Sequence, residues 1–205
     1  MFDDRRTAGN LLFQKLKNLK LTYDIVFAIP RGGVVVGKEI AKNLRVPLRV
    51  VVVKKIGAPN NSELAIGAVA SGIIYIEGKL AMKVGVDQEF LDRMIKEKTK
   101  EVEDREKRYK IRNPRSLQNK IVILTDDGIA TGATVRAAIK YLKKKKAKKI
   151  ILAVPVIAED TYQQLKSQVN MLVALEIPDA FGAVGQFYKE FEQVSDKEVI
   201  KILSN

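Results

Sequence analysis

The sequence predicts an α/β fold: an open, mostly parallel, twisted sheet flanked by helices, with a small hood region near its end. Three observations predict it. Short apolar runs of strand length recur along the 205 residues, helix-like segments separate most of them, and one run passes into its helix through a loop of small residues. Strands that alternate with helices build a parallel sheet with right-handed crossovers.

Taken in order, residues 3–20 read as an N-terminal helix, and "DIVFAI" (24–29) as the first buried strand. "VVVGKEIAKNL" (34–44) carries apolar residues at helical spacing. "LRVVVVK" (48–54) is the second strand, and residues 56–64, with Gly57, Pro59, Asn60 and Asn61, read as a mobile loop with few anchors. "IIYI" (73–76) is a third strand. Residues 87–110 form a long charged helix whose apolar positions, Phe90, Leu91, Met94, Ile95 and Val102, make only a thin stripe, as on a surface helix. "KIVILT" (120–125), "KIILAV" (149–154) and "MLVALE" (171–176) complete the strands. Between them, residues 132–146 place Val135, Ala138, Ile139 and Leu142 on one helical face, and residues 159–168 open with acids, as helix starts prefer. Ser195 with Glu198 forms a capping-box pattern for a last helix at 195–203. The expectation is one domain over 1–205, with a charged surface-helix insertion at 85–115 and a hood and tail at 177–205.

Composition excludes several chemistries. The chain has neither Cys nor His, which removes disulfides, thiolate and imidazole metal sites, and Ser-His-Asp or Cys catalysis. No run of about 18 apolar residues is present, so no membrane span is expected. The start "MFDDRRTAGNLLFQKLKNLK" is too charged for a secretory signal, so a cytoplasmic location is expected. With 37 Lys and Arg against 24 acids the net charge is +13, which suits an anionic partner, either nucleic acid or a phosphorylated small molecule. A Lys-rich, solvated surface is the alternative.

The chemistry concentrates in "IVILTDDGIATGAT" (121–134). In an open parallel sheet, ligands bind beyond the carboxyl ends of the strands. This strand delivers Asp126 and Asp127 to that edge, and Gly128, Ile129, Ala130, Thr131, Gly132, Ala133 and Thr134 follow. Backbone N–H groups at a helix start, with Thr hydroxyls, can cradle a phosphate, and two carboxylates can accept from a cis pair of sugar hydroxyls. A ribose phosphate has both features. Two acids could also simply cap a strand end. The first strand ends in "AIPRGGVVVG", where Arg31, Gly32 and Gly33 would grip an anion or merely make a turn. Lys54 and Lys55 stand at the base of the expected loop. Phe181, Phe187 and Tyr188 cluster near the end, able to stack on a flat base or to pack a core.

These stretches resemble the signature segments of the type I phosphoribosyltransferases, over roughly residues 20–190. The loop at 126–134 is similar to the phosphoribosyl pyrophosphate (PRPP) signature, especially its adenine-type version. Arg31-Gly32-Gly33 resembles the pyrophosphate loop, and residues 53–72 the loop that closes over PRPP. Gly128 departs from the pattern, since a bulkier apolar residue is usual there. Ala130 stands where 6-oxopurine enzymes carry an Asp. The resemblance implies transfer of a phosphoribosyl group from PRPP, with pyrophosphate released, to a nucleobase or other amine whose identity it leaves open. It implies that Asp126 and Asp127 hold the ribose hydroxyls, that Ala130 to Thr134 wrap the 5-phosphate, and that Arg31 with Lys54 or Lys55 neutralises the pyrophosphate. Phe181, Phe187 and Tyr188 would line the acceptor pocket. Mg²⁺ would bind mainly through PRPP, with no direct protein ligand. A homo-oligomer is expected, dimers being the commonest soluble assembly. The rival reading is a PRPP- or nucleotide-sensing regulator on the same fold that binds nucleic acid, marked by steep salt dependence.

Overall fold

The computed structural model describes residues 1–204. Its centre is a parallel sheet of five strands: β1 (Ile25–Ala28), β2 (Leu48–Val50), β6 (Ile121–Thr125), β7 (Lys149–Val156) and β8 (Met171–Glu176). Their spatial order is β2-β1-β6-β7-β8. Every neighbouring pair is parallel. Successive strand residues point to opposite faces. Val26, Ile123, Ile151 and Val173 pack one face against Leu12 and Leu16 of α1 (Arg5–Asn18) and Val36 and Ile40 of α2 (Gly32–Leu44). Phe27, Val122, Leu124, Leu152 and Val154 pack the other against Val135, Ala138, Ile139 and Leu142 of α5 (Ala133–Lys144), the four residues the spacing placed on one side. Leu165 of α6 (Glu159–Leu165) joins the same cluster.

A second sheet departs from the expected rhythm. β3 (Val53–Ala58), β4 (Asn61–Ala70) and β5 (Ile73–Ile76) form an antiparallel meander. The run 48–54 is therefore two strands in two sheets. Its hinge is Val51 and Val52, both buried, the first in the core under α5 and the second in the core under α4 (Gln88–Arg108). A continuous apolar run cannot reveal such a crossing, because both cores demand Val. The loop expected at 56–64 is instead the tip of the β3–β4 hairpin, turning through Pro59 and Asn60. Asn61 Oδ1 accepts from the N–H groups of Glu63 and Leu64 and stiffens that turn. "IIYI" likewise belongs to this second sheet.

α4 covers the hairpin as the thin stripe implied. Only Val102 is fully buried, while Phe90, Leu91, Met94 and Ile95 are partly so. Short α3 (Gly78–Lys83) leads into it. α7 (Asp196–Leu203) starts with the capping box read from the sequence: Glu198 N–H donates to Ser195 Oγ at 3.2 Å, and Ser195 N–H donates to Glu198 Oε2 at 2.8 Å. No helix among the described residues is long and apolar enough to cross a membrane.

Candidate active site

β6 ends at Thr125 and delivers Asp126 and Asp127 to the carboxyl edge of the sheet, beside the end of β1. The two acids sit directly against the turn that opens α2. A Cβ added to Gly32 would lie 1.8 Å from Asp127 Oδ2, and one added to Gly33 would lie 2.8 Å from Asp126 Oδ1. The two motifs are thus one packed unit: the glycines exist there because the carboxylates occupy the space a side chain would need. The Pro30–Arg31 peptide in this turn is cis.

The acids differ in their surroundings. Asp126 Oδ1 accepts from Asp127 N–H at 2.9 Å. Burial pushes its carboxyl well above the usual range, and the neighbouring Asp127 charge adds to that. Asp127 Oδ2 accepts from Arg5 Nε at 2.7 Å, in a pair only 10% and 17% exposed. Arg5 Nη1 also donates to the Glu192 carbonyl at 2.8 Å, and its guanidinium lies 3.7 Å from the centre of the Phe191 ring. Arg5 and Phe191 had no signal in the sequence, since they meet Asp127 only through the tertiary fold.

The loop from Gly128 to Thr134 turns its carbonyls backward. Ile129 pairs with β7 and the residues after it: its N–H donates to Val156 O at 2.9 Å, and its carbonyl accepts from Ala158 N–H at 3.0 Å. The Ala130 carbonyl accepts from Thr161 Oγ1 at 2.5 Å, and the Thr131 carbonyl from Arg136 Nη1 at 2.8 Å. Gly132, at φ +75°, caps α5 in the left-handed region that favours glycine. The N–H groups of Thr131, Gly132, Ala133 and Thr134 have no protein acceptor among the described residues. The space above Gly128 is filled by Val184, which explains why this position is glycine here: a Cβ would come within 2.4 Å of that side chain.

The cations separate. Arg31 Nη1 stands 3.8 Å from Asp196 Oδ1, a carboxylate that also accepts from Tyr109 Oη at 2.6 Å and Arg108 Nη1 at 2.7 Å. Lys54 Nζ pairs with Glu101 of α4 at 2.6 Å. Lys55 lies on the opposite face of β3, the face that Val53 and Ala68 pack against α5, and pairs with Glu63 at the exposed hairpin tip at 2.8 Å.

The hood is assembled from both ends of the sequence. Phe2 bridges Tyr188 in parallel, with Phe2 N–H donating to Phe187 O and Lys189 N–H to Phe2 O, both at 2.8 Å. The Tyr188 ring is buried against Phe2, and its hydroxyl donates to the Asp127 carbonyl at 2.5 Å. Burial raises that hydroxyl's pKa, helped by the Asp127 charge. Phe181 and Phe187 pack on each other at 5.2 Å, next to Val184. Tyr188 is thereby part of the scaffold that holds Asp127, while Phe181 and Phe187 remain half-exposed on the hood.

Known proteins resemble this chain in sequence and in fold. The family model for the phosphoribosyl transferase domain matches residues 5–192. Two Mycobacterium tuberculosis proteins whose names carry "phosphoribosyl transferase" are 38% identical over 205 residues, covering 99% of this chain and 46% of theirs. The chain thus spans about half the length of the curated relatives it matches. The solved structure of TT1426 from Thermus thermophilus is similar at a TM-score of 0.82 and 38% identity, covering 98% of this chain and 97% of that one. A purine phosphoribosyltransferase from Pyrococcus horikoshii shares the fold at a TM-score of 0.51 and 19% identity, covering 92% and 90%.

Proposed function

The chain belongs to the phosphoribosyl transferase domain family, and on that premise we propose that it moves a phosphoribosyl group from PRPP to a nucleobase or other amine, releasing pyrophosphate. One observation carries the reading. Two carboxylates and a row of backbone N–H groups without protein acceptors stand within one segment at the carboxyl edge of the sheet. A sugar phosphate needs hydroxyl acceptors and an anion cradle at that spacing.

In this reading Asp126 and Asp127 orient the ribose, and Thr131 to Thr134 bind the 5-phosphate through N–H groups. The acceptor nitrogen forms its bond to the anomeric carbon as the carbon–oxygen bond to pyrophosphate breaks. The bonding pair leaves with pyrophosphate, and the acceptor's proton passes to solvent or a nearby base. The chain need not supply a nucleophile, so the absence of His and Cys is no obstacle. Its task is positioning and neutralising charge. Arg31 faces the pyrophosphate side. Lys55 is favoured over Lys54 for the same role, because its pair with Glu63 at the hairpin tip is exposed and easily exchanged, whereas Lys54 is held against α4 by Glu101. Phe181 and Phe187 line the acceptor side.

No group of three or more potential metal ligands occurs among the described residues. In the proposed reading Mg²⁺ would be held mainly by PRPP oxygens and water, with Asp126 and Asp127 contributing through water or ribose hydroxyls. Bound in that way, the cation would offset charge building on the pyrophosphate.

The test is a thermal melt with and without Mg²⁺-PRPP. A ligand at 100 times its Kd adds about 2.7 kcal/mol, worth roughly 5–10 °C for a chain of this size. The wild type should show that shift. Asp127→Asn should lose most of it, measured from its own ligand-free midpoint. Absence of any shift in the wild type at millimolar PRPP would refute the reading. Pyrophosphate release across candidate amines then identifies the acceptor.

A further inference from the structure

Arg136 is only 6% exposed, which is rare for a guanidinium without a carboxylate. Its acceptors are neutral: the Thr131 carbonyl at 2.8 Å and Gln164 Oε1 at 2.5 Å. Its third neighbour is the Tyr75 ring at 5.9 Å, which Lys140 also approaches at 4.9 Å. The Tyr75 hydroxyl itself is turned to Glu77. Among the described residues Arg136 makes no ion pair. A buried charge is costly unless something of opposite sign answers it. The one feature beside it built for an anion is the cradle whose loop it holds.

We propose that Arg136 is the positioning residue of the phosphate cradle and the standing counter-charge for a phosphate dianion seated in it. The inference rests on the phosphoribosyl reading and adds to it a residue of α5 placed behind the loop. The geometry explains how it acts. Arg136 draws the Thr131 carbonyl backward while Thr161, from the first turns of α6, draws the Ala130 carbonyl the same way. Both side chains crowd the left-handed Gly132, where a Cβ would meet Thr161 Cγ2 at 2.9 Å and Arg136 Nη1 at 3.0 Å. With consecutive carbonyls fixed at the back, the peptide planes present their N–H groups forward. The same guanidinium adds a full positive charge to the partial charge of the helix start. Gln164 fixes the other arm of the fork, so the charge is preorganised before the ligand arrives.

The probes are ribose 5-phosphate and inorganic phosphate, titrated calorimetrically into the intact chain. Arg136→Gln keeps a donor for Thr131 and removes the charge. Arg136→Lys keeps the charge and removes the fork. The expected result is ribose 5-phosphate binding in the wild type, a loss of roughly 10- to 100-fold in Arg136→Gln, and a smaller loss in Arg136→Lys. With PRPP, Arg136→Gln should raise KM more than it lowers kcat. If Arg136→Gln does not fold, Thr161→Val, of similar shape, carries the test by releasing the Ala130 carbonyl, and should weaken phosphate binding with little change in midpoint. A folded Arg136→Gln that binds ribose 5-phosphate like the wild type overturns the inference and leaves the transferase reading standing. Equal losses in the Lys and Gln variants overturn the counter-charge role. A wild type that takes up neither probe overturns both inference and reading, so the two failures are told apart by which protein shows them.

Discussion

Asp126 and Asp127 are adjacent, yet only one has a cation. Arg5 answers Asp127, whereas Asp126 is half-buried, accepts a single backbone N–H, and feels its neighbour's charge. A carboxyl whose folded pKa lies above its unfolded value of 3.8 holds its proton longer in the native state. Below that value both states are protonated and the group is neutral in the balance. As pH rises through the window above it, the unfolded chain loses the proton first, so native stability falls. Asp126 therefore costs stability at neutral pH. Asp126→Asn keeps the oxygen that accepts from Asp127 N–H and removes the charge. It should raise the ligand-free midpoint at pH 7 by on the order of 1 kcal/mol, the usual gain when a strained functional residue is relieved, or ~2–4 °C. At pH 3 the gain should vanish. Melts of both proteins at the two pH values check this, and a variant less stable than wild type at pH 7 would show that the carboxylate is compensated. Such a gain would come with weaker sugar binding. That combination is expected where a charge is kept for a ligand.

The β3–β4 hairpin illustrates how one-residue alternation separates roles between adjacent lysines. On the α4 side, Lys54 joins a small network in which burial alone would raise the Glu101 carboxyl, but hydrogen bonds from Lys54 and Lys98 bring it down to about 2. That lowered pKa adds stability present above the unfolded value of 4.5 and lost as pH falls toward 2. The network is partly exposed, so Lys54→Ala should cost only about 0.2–1 kcal/mol, read in denaturant melts at pH 7, with the difference shrinking as pH falls from 4.5 toward 2. Its kcat should stay near wild type. Lys55→Ala should show the opposite: an unchanged midpoint and a kcat reduced ~10-fold or more, with KM for PRPP less affected. A large kcat loss in Lys54→Ala would reverse the assignment. The sequence supplied the lysine pair but not its division, because the expected strand stops at Lys54 and the expected loop starts at 56, so the pair falls at a strand end with no partner strand to define its faces. The same limit explains the second sheet. Apolar runs such as 48–54 and 73–76 announce strands, yet nothing local states which sheet a strand joins, and Val51 and Val52 serve two cores at once. By contrast, the parallel strands, α5 and the capping box were legible because their signals are local: period, length and a Ser three residues before a Glu.

Across the whole molecule, the site is closed by residues far apart in sequence. The acids and the loop at 128–134 could be read from one contiguous stretch. Arg5, 122 positions from Asp127, could not, nor could the bridge between Phe2 and Tyr188. Both ends of the domain converge on Asp127: Arg5 on its carboxylate and Tyr188 on its carbonyl. Arg5 further ties the tail directly, through the Glu192 carbonyl and the Phe191 ring. If this guanidinium is the tie that makes the hood one cooperative unit, its loss should be felt at both ends together. Arg5→Ala removes a pair between the exposed and buried extremes, worth roughly 1–3 kcal/mol. Local opening should rise by that amount, so amide hydrogen exchange should quicken ~5-fold or more. The change should appear in residues 1–8 and in 183–194, while β7 and the α5-facing core keep their protection. Exchange that quickens at the N-terminus alone would mean that packing of Phe2 on Tyr188 and Phe191 on Tyr188 holds the tail without Arg5. Exchange that quickens in neither would remove Arg5 from the hood altogether. Adding Mg²⁺-PRPP to the wild type should slow exchange in 183–194 if the hood stays seated over bound ligand, because the sugar then shares Asp127 with the same residue that anchors both ends.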